Sequence, residues 1–405
     1  MKTCLSRLLV IILSLTLLIG IGLAAYLIWF NTAPLPPTPL GIEFRSVEAG
    51  DIVTVSANVR GDQVSRAELW VEDQRVAFEA NPNPALAGDW TVAWQWTPPA
   101  PGVYPLAARA FDQAGHYAGT APFEVVVPPH LRLVFASNRG GRYGLYSLAI
   151  ATRETMPQSP STGDERQPGV SSLQVLAFAS NRSGAWHIWT RPLSGGNAVD
   201  LTPDVPAAQG PAWAPDGQRL AFELVNSNVT NIFVSDAHGQ NRVQVTNGDT
   251  YDGQVSFAPN GRQIAFASKR GGQWDIYEVD LDGQNLARLT NDTAQDWQPA
   301  WSPDGGRIAF ASTRSGISQI YMMAASGNGD PIQVTNLPAG AEFPAWSPDG
   351  NWLAYVGYSG DAEGTNRREL YLLYAPANKP LVPGSGLIRL TQNAFDDTEP
   401  AWVSP

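Results

Sequence analysis

The sequence predicts an all-β chain: a six-bladed β-propeller preceded by a β-sandwich, with one transmembrane helix ahead of both. Three observations predict it. An aromatic-centred element recurs at Trp213, Phe257, Trp301 and Trp346, with spacings of 44, 44 and 45 residues, a period that suits four short strands per blade. Glycine (38) and proline (33) are plentiful among the 405 residues, as many tight turns require. Residues 8–30 form an uncharged apolar run, long enough as a helix to cross a bilayer core.

The N-terminal run is expected to be an anchor. Lys2 and Arg7 precede it and the next basic residue is Arg45. The positive-inside bias therefore puts residues 1–7 in the cytoplasm and the rest of the chain outside. A cleaved signal peptide would carry an apolar stretch of about 7–15 residues, shorter than this one. The single cysteine, Cys4, lies before the run, so neither an intrachain disulfide nor a lipoprotein cysteine is expected. Gly20, Gly22 and Ala25 mimic the spacing of a dinucleotide loop, but with no strand before them they read as small residues of a membrane helix. Residues 31–40 contain Pro34, Pro36, Pro37 and Pro39 and form an extended spacer.

Residues 41–128 alternate like short strands. The clearest are Ile52-Val53-Thr54-Val55-Ser56-Ala57-Asn58-Val59, Ala67-Glu68-Leu69-Trp70-Val71 and Trp90-Thr91-Val92-Ala93-Trp94-Gln95-Trp96, followed by stretches around Leu106 and Val125. Turn signals such as Pro101-Gly102 and Asp112-Gln113-Ala114-Gly115 separate them. This suits one sandwich, with Trp70, Trp94 and Tyr104 as core residues. Leu69-Trp70-Val71, Pro101-Gly102-Val103-Tyr104 and Ala110-Phe111-Asp112-Gln113-Ala114-Gly115 resemble bacterial immunoglobulin-like domains. The resemblance implies a stalk or adhesive module.

Residues 129–405 repeat. Each unit begins with a short strand ending in a tight turn, as in Pro299-Ala300-Trp301-Ser302-Pro303-Asp304-Gly305 and Pro344-Ala345-Trp346-Ser347-Pro348-Asp349-Gly350. Proline presets the turn and glycine frees its last residue. A second strand follows as Leu176-Ala177-Phe178, Leu220-Ala221-Phe222, Ile264-Ala265-Phe266, Ile308-Ala309-Phe310 and Leu353-Ala354-Tyr355. Small alanine beside a large aromatic lets blades interlock. A third strand carries pairs such as Ile276-Tyr277, and a fourth ends in pairs such as Leu289-Thr290. Leu133-Val134-Phe135-Ala136-Ser137 is a second strand with no first strand before it, and Pro400-Ala401-Trp402 is a first strand with nothing after it. The C-terminal strand is therefore expected to complete blade one and remove the open edge. These elements closely resemble the TolB-like propeller repeat. The resemblance implies an extracytoplasmic scaffold that binds other proteins; some propellers of this type instead cap a peptidase.

Composition and motifs argue for binding rather than catalysis. The formal charge is −11 with no basic cluster, which disfavours nucleic acid as a partner. No nucleophile elbow, zinc-protease helix or phosphate loop is present. His116, His130, His187 and His238 are scattered, so no metal and no cofactor is expected. Asp280-Leu281-Asp282-Gly283 reads as a hairpin turn rather than a calcium loop.

Two patterns near the first strands are candidate sites. In four blades an arginine follows the second strand and an acid precedes the first-strand proline: Arg139 with Asp397, Arg182 with Glu165, Arg270 with Asp252, and Arg314 with Asp296. Blade three has Ala208 and no such arginine, and blade six has a shifted Glu342 with Arg367 and Arg368 in a longer loop. Joint presence and absence favours structural pairs over a ligand-binding charged ring. Tyr251, Trp297, Phe343 and Phe395 are expected to ring one mouth of the tunnel, where aromatics could anchor a partner. The expected function is a membrane-anchored extracytoplasmic scaffold, not an enzyme, whose propeller face binds a protein, peptide or cell-envelope polymer. The alternative is a glycan- or peptide-cleaving enzyme using tunnel acids, supported by the adjacent Asp396 and Asp397.

Overall fold

The computed structural model describes residues 39–84, 89–158, 162–360, 366–377 and 386–405. The anchor expected at 8–30 and all but the end of the 31–40 linker lie outside the described residues. Among those described, the secondary structure is all strand, and no helix is long and apolar enough to cross a membrane.

The chain divides into two compact units, one including Thr54–Trp96 and Leu106–Pro122, the other including Phe123–Pro405. In the first, one sheet joins Gly41–Glu48, Val53–Arg60 and Trp90–Trp96, and the path of a second runs Gln74–Ala80, Val64–Val71, Gly102–Asp112, Tyr117–Gly119. Strand alternation sets the core: Val53, Val55, Ala57 and Val59 are buried from one sheet, and Ala67, Leu69, Val71, Leu106, Ala108 and Ala110 from the other. Trp94 is buried, as expected. Trp70 is not a core residue. It sits one residue out of phase with Leu69 and Val71, so it faces outward beneath the Arg109 guanidinium, 3.9 Å from its ring centre. Tyr104 is only partly buried, and its hydroxyl donates to the Ala100 carbonyl.

The second unit contains six four-stranded sheets. Five of them run from an innermost strand outward in chain order, for example Asp296–Trp301, Arg307–Ser312, Gln319–Ala324 and Ile332–Gln333 in blade five. Blade one is assembled from both ends of the unit: Asp397–Val403 pairs antiparallel with Arg132–Ser137, placing Trp402 opposite Leu133. Trp402 is buried, and its indole N–H donates to the Ala345 carbonyl of blade six (2.8 Å).

Both faces of a second strand are covered by neighbouring blades, so its side chains are apolar without alternation. Ile308, Ala309, Phe310 and Ala311 are all fully buried. Ile308 and Phe310 pack on the blade-four residues Ala265 and Ala267. Ala309 and Ala311 receive Leu353 and Tyr355 of blade six. The same large-on-small contact joins Leu176 and Phe178 to Ala136, Phe222 to Ala177, Phe266 to Ala221, and Phe135 to Ala354. The threonine ending each fourth strand has a separate task. The hydroxyl oxygens of Thr202, Thr246, Thr290, Thr335 and Thr391 accept from the amides of Ile188, Ile232, Ile276, Ile320 and Leu370 at 2.8–3.0 Å, closing the outer edge of five blades.

Candidate functional site

The six innermost strands line a central tunnel. Each contains a bulge, because the register slips between its second and fifth residues, as between Trp297 and Ala300. The third residue is in the left-handed region in every blade: Gln167 (φ 52°), Gly210 (60°), Gln254 (58°), Gln298 (54°), Phe343 (56°) and Glu399 (56°). Most are followed by proline, which cannot donate to the ladder.

These bulge residues hold one another around the tunnel. The Gln167 amide donates to Glu399 Oε2 at 2.7 Å, the Gly210 amide to Gln167 Oε1 at 2.9 Å, the Gln298 amide to Gln254 Oε1 at 2.9 Å, and the Phe343 amide to Gln298 Oε1 at 2.8 Å. Gly210 has no side chain to offer blade four. Glu223, from the second strand of blade three, takes its place and accepts from the Gln254 amide at 2.6 Å. Five of six steps between neighbouring blades are thus closed by a side-chain oxygen. The sixth would run from Phe343 to the Glu399 amide.

Glu223 stands where blades two, four and five have Ala179, Ala267 and Ala311, on the side that faces the next blade. The site is built to hold it. A Cβ on Gly210 would strike its carboxyl group, and a Cβ on Gly253 would lie 2.6 Å from its Cδ. Gln209 Nε2 and the Tyr251 hydroxyl donate to Oε2 at 3.0 and 2.7 Å. Glu223 is fully buried, no basic side chain among the described residues forms an ion pair with it, and desolvation pushes its pKa up despite the donors from Gln254, Tyr251 and Gln209. Burial and the adjacent Glu223 also raise the Tyr251 pKa, so its proton stays in place. Glu399, the other carboxyl lining this level, is bound by Arg166 Nη2 at 2.9 Å as well as by the Gln167 amide. The open cavity here has a volume of about 170 Å³, and its lining includes Gln167, Gln254, Gln298, Phe343, Glu223 and Glu399.

The structure brings the four arginines and four acids together. Arg139 Nη2 lies 2.7 Å from Asp397, Arg270 Nη2 2.6 Å from Asp252 and Arg314 Nη2 2.9 Å from Asp296; Arg182 contacts Glu165. All four acids are fully buried. Each arginine Nε also donates to the last serine of its second strand, Ser137, Ser180, Ser268 or Ser312, at 2.8–3.2 Å. Each guanidinium lies 5.2–5.4 Å from the ring centre of a second-strand phenylalanine, Phe135, Phe178, Phe266 or Phe310. The serine sits directly opposite the acid in the register. In blade three those positions are Ala208 and Leu224, and in blade six Ala341 and Gly357. Glu342 accepts from the Tyr358 hydroxyl at 2.8 Å.

The four aromatic residues do not form one ring. They occupy four different positions relative to the bulge, so their side chains diverge. Tyr251 binds Glu223 and packs edge-on against Trp274. Trp297 wedges into the cores on both sides of blade five. Phe395 is exposed. Of the four, Phe343 alone lines the tunnel cavity. Asp396 and Asp397 are not in that lining either. Asp396 Oδ1 accepts from the Arg368 amide, and Asp397 is held by Arg139 and Asn393. Among the described residues no cluster of His, Cys, Asp and Glu could hold a metal. The ring of bulge residues was missed in the sequence. Its signal was present: the residue before the first-strand proline is Gln, Gly, Gln, Phe or Glu in five repeats, and Glu223 breaks the alanine pattern of its column.

Residues 210–367 match the family described as TolB beta propeller domain. No curated protein matches the chain. Among solved structures, TolB from Acinetobacter baumannii is 19% identical with a TM-score of 0.57, covering 75% of this chain and 80% of that one. A putative TolB from Agrobacterium tumefaciens is 22% identical with a TM-score of 0.52, covering 64% and 89%. Hydrazine synthase of Kuenenia stuttgartiensis shares the fold at 14% identity and a TM-score of 0.53, covering 68% of this chain and 47% of its own. The six blades form a TolB-like β-propeller.

Proposed function

We propose that this chain is a membrane-anchored extracytoplasmic scaffold whose propeller binds a protein or peptide, with residues 41–128 as an immunoglobulin-like stalk and residues 8–30 as the anchor. The TolB-like fold supports a protein-binding role. The carrying observation is that the acids in and around the tunnel are engaged: four in buried arginine pairs, Glu399 with Arg166, and Glu223 with three donors. What remains in the tunnel is a concave polar surface of glutamines beside Phe343, suited to contact rather than turnover.

One observation favours a cleaving enzyme, the raised pKa of buried Glu223. Its carboxyl oxygens, however, replace the side chain absent at Gly210, and the cost of burying it is met by a structural hydrogen bond. The test is photo-crosslinking of the full chain in its native membrane from positions 298 and 343. A discrete polypeptide adduct is expected. No adduct, together with hydrolysis of a glycan or peptide that is lost in Glu223→Gln, would replace the scaffold with an enzyme. Protease applied to intact cells or spheroplasts should reach the propeller while residues 1–30 stay with the membrane; recovery of a mature chain starting near Tyr26 would overturn the anchor.

A further inference from the structure

Resting on the scaffold reading, we propose that the tunnel recognises a primary carboxamide, the side chain of a glutamine or asparagine on the partner, at the step between Phe343 and Glu399. At five steps a bulge amide finds a side-chain oxygen from the neighbouring blade. Three of those five oxygens belong to carboxamides, Gln167, Gln254 and Gln298. Glu399 adopts the same left-handed conformation as the other bulge residues, so its amide points the same way. The residue that should face it is Phe343, whose phenyl ring has no acceptor.

The fold treats its two gaps differently. At Gly210 it places a buried carboxyl, Glu223, in the vacant position and opens room for it with Gly210 and Gly253. At Phe343 no such substitute appears among the described residues. The second strand of blade six has Val356 at the position of Glu223, paired opposite Glu342. The open step faces the cavity of about 170 Å³ that Phe343 and Glu399 both line, enough for one small polar side chain.

The chemistry of the walls selects among occupants. The Glu399 amide is a donor and requires an acceptor. The Glu399 carboxylate already accepts from Arg166 and the Gln167 amide but keeps lone pairs for one further donor, and the ring glutamines, whose Oε1 atoms are taken by bulge amides, keep their Nε2 groups as donors. A carboxamide supplies both from one planar group, as the three ring glutamines do. A carboxylate would meet Glu399 with like charge, and an ammonium would leave the amide unpaired. The phenyl ring of Phe343 offers an apolar wall for the methylene stem.

The experiment uses the full chain in detergent, labelled with ¹⁵N-glutamate, and follows the Glu399 amide resonance. N-acetylglutamine methylamide is the probe, N-acetylleucine methylamide the apolar control and free L-glutamine the arm that separates a peptide side chain from a free amino acid. A saturable shift with the glutamine peptide and none with the leucine peptide is expected. Phe343→Gln should close the ring, move the resonance without ligand and lose the saturable shift. Phe343→Leu, which adds no acceptor, should keep it. The proposal is overturned if both peptides shift the resonance equally, if neither does, or if Phe343→Gln titrates like the parent chain. A shift with free L-glutamine but not with the peptide would overturn the macromolecular source. Photo-crosslinking from position 298 is read independently: a polypeptide adduct alongside a silent titration would sink the carboxamide assignment and leave the scaffold standing.

Discussion

Breaking the Asp296–Arg314 pair should cost far more than a surface ion pair does. Asp296 is fully buried, and Arg314 Nη2 contacts both of its carboxylate oxygens, at 3.1 and 2.9 Å. Arg314 Nε reaches Ser312 at 2.8 Å, and the guanidinium lies over Phe310 and Tyr321. Arg314→Met preserves much of the stacking but strands a buried carboxylate, which costs about 3–5 kcal/mol. Asp296→Asn removes the charge but leaves an acceptor, and Arg314 can still use the half-exposed Asp292 at 3.3 Å; the loss should be about 1–2 kcal/mol. The double variant should therefore be more stable than additivity predicts, with a coupling of about 2 kcal/mol. Blade three suggests a sharper version. Its Ala208 and Leu224 show that an apolar pair fits these positions, so Asp296→Ala with Ser312→Leu and Arg314→Met should recover part of the loss. Because the chain has two units, one unfolding midpoint is a poor readout. Amide exchange of Arg307–Ser312, measured beside urea denaturation, isolates blade five. Coupling of under about 0.5 kcal/mol, the range of an exposed pair, would refute the structural account and return the arginines to the candidate ligand-binding groups.

Three further outcomes are expected. The folded chain holds the Glu223 proton at pH values where an unfolded carboxyl, with its ordinary value of 4.5, has lost it. The stability this group provides is full below that value and is lost as pH rises through the raised folded value; Glu223→Gln should remove that slope in denaturation series across pH, and an unchanged slope would clear Glu223 of it. Gly253→Ala places a methyl group against Glu223 Cδ and the Tyr251 hydroxyl and should destabilise by about 1–3 kcal/mol; the loss should shrink in a Glu223→Ala background, and an equal loss in both would mean the strain lies elsewhere. Trp402→Ala empties a buried site on the strand that closes blade one and should cost about 3–5 kcal/mol by urea denaturation; a near-neutral effect would show that closure does not depend on it.

Repeats make the propeller legible in the sequence. A period of 44 or 45 residues, the Pro-Asp-Gly turns and the Leu-Ala-Phe strands each encode one local demand, and each demand recurs in several blades. The displaced C-terminal strand was readable for the same reason, since one incomplete repeat at each end implies a shared blade. The arginine–acid pairs could be read because joint loss in blade three is a pattern along the chain. The aromatic ring could not. Tyr251, Trp297, Phe343 and Phe395 are close in repeat phase, yet a left-handed residue at the third strand position turns the backbone, and a shift of one residue sends a side chain between blades, onto Glu223 or into solvent.

By itself, then, the sequence determined the strand content, the blade count, the closure and the pairing of charges, because periodicity and local turn chemistry are properties of neighbouring residues. Tertiary structure alone decided which groups meet in the tunnel. Glu223 lies one strand and one blade away from the amide it satisfies, and Glu399 binds Gln167 across 232 residues of chain. Contacts that close a ring join residues with no fixed spacing, so only the assembled ring reveals that five steps are filled and that, among the described residues, Phe343 offers the sixth no acceptor.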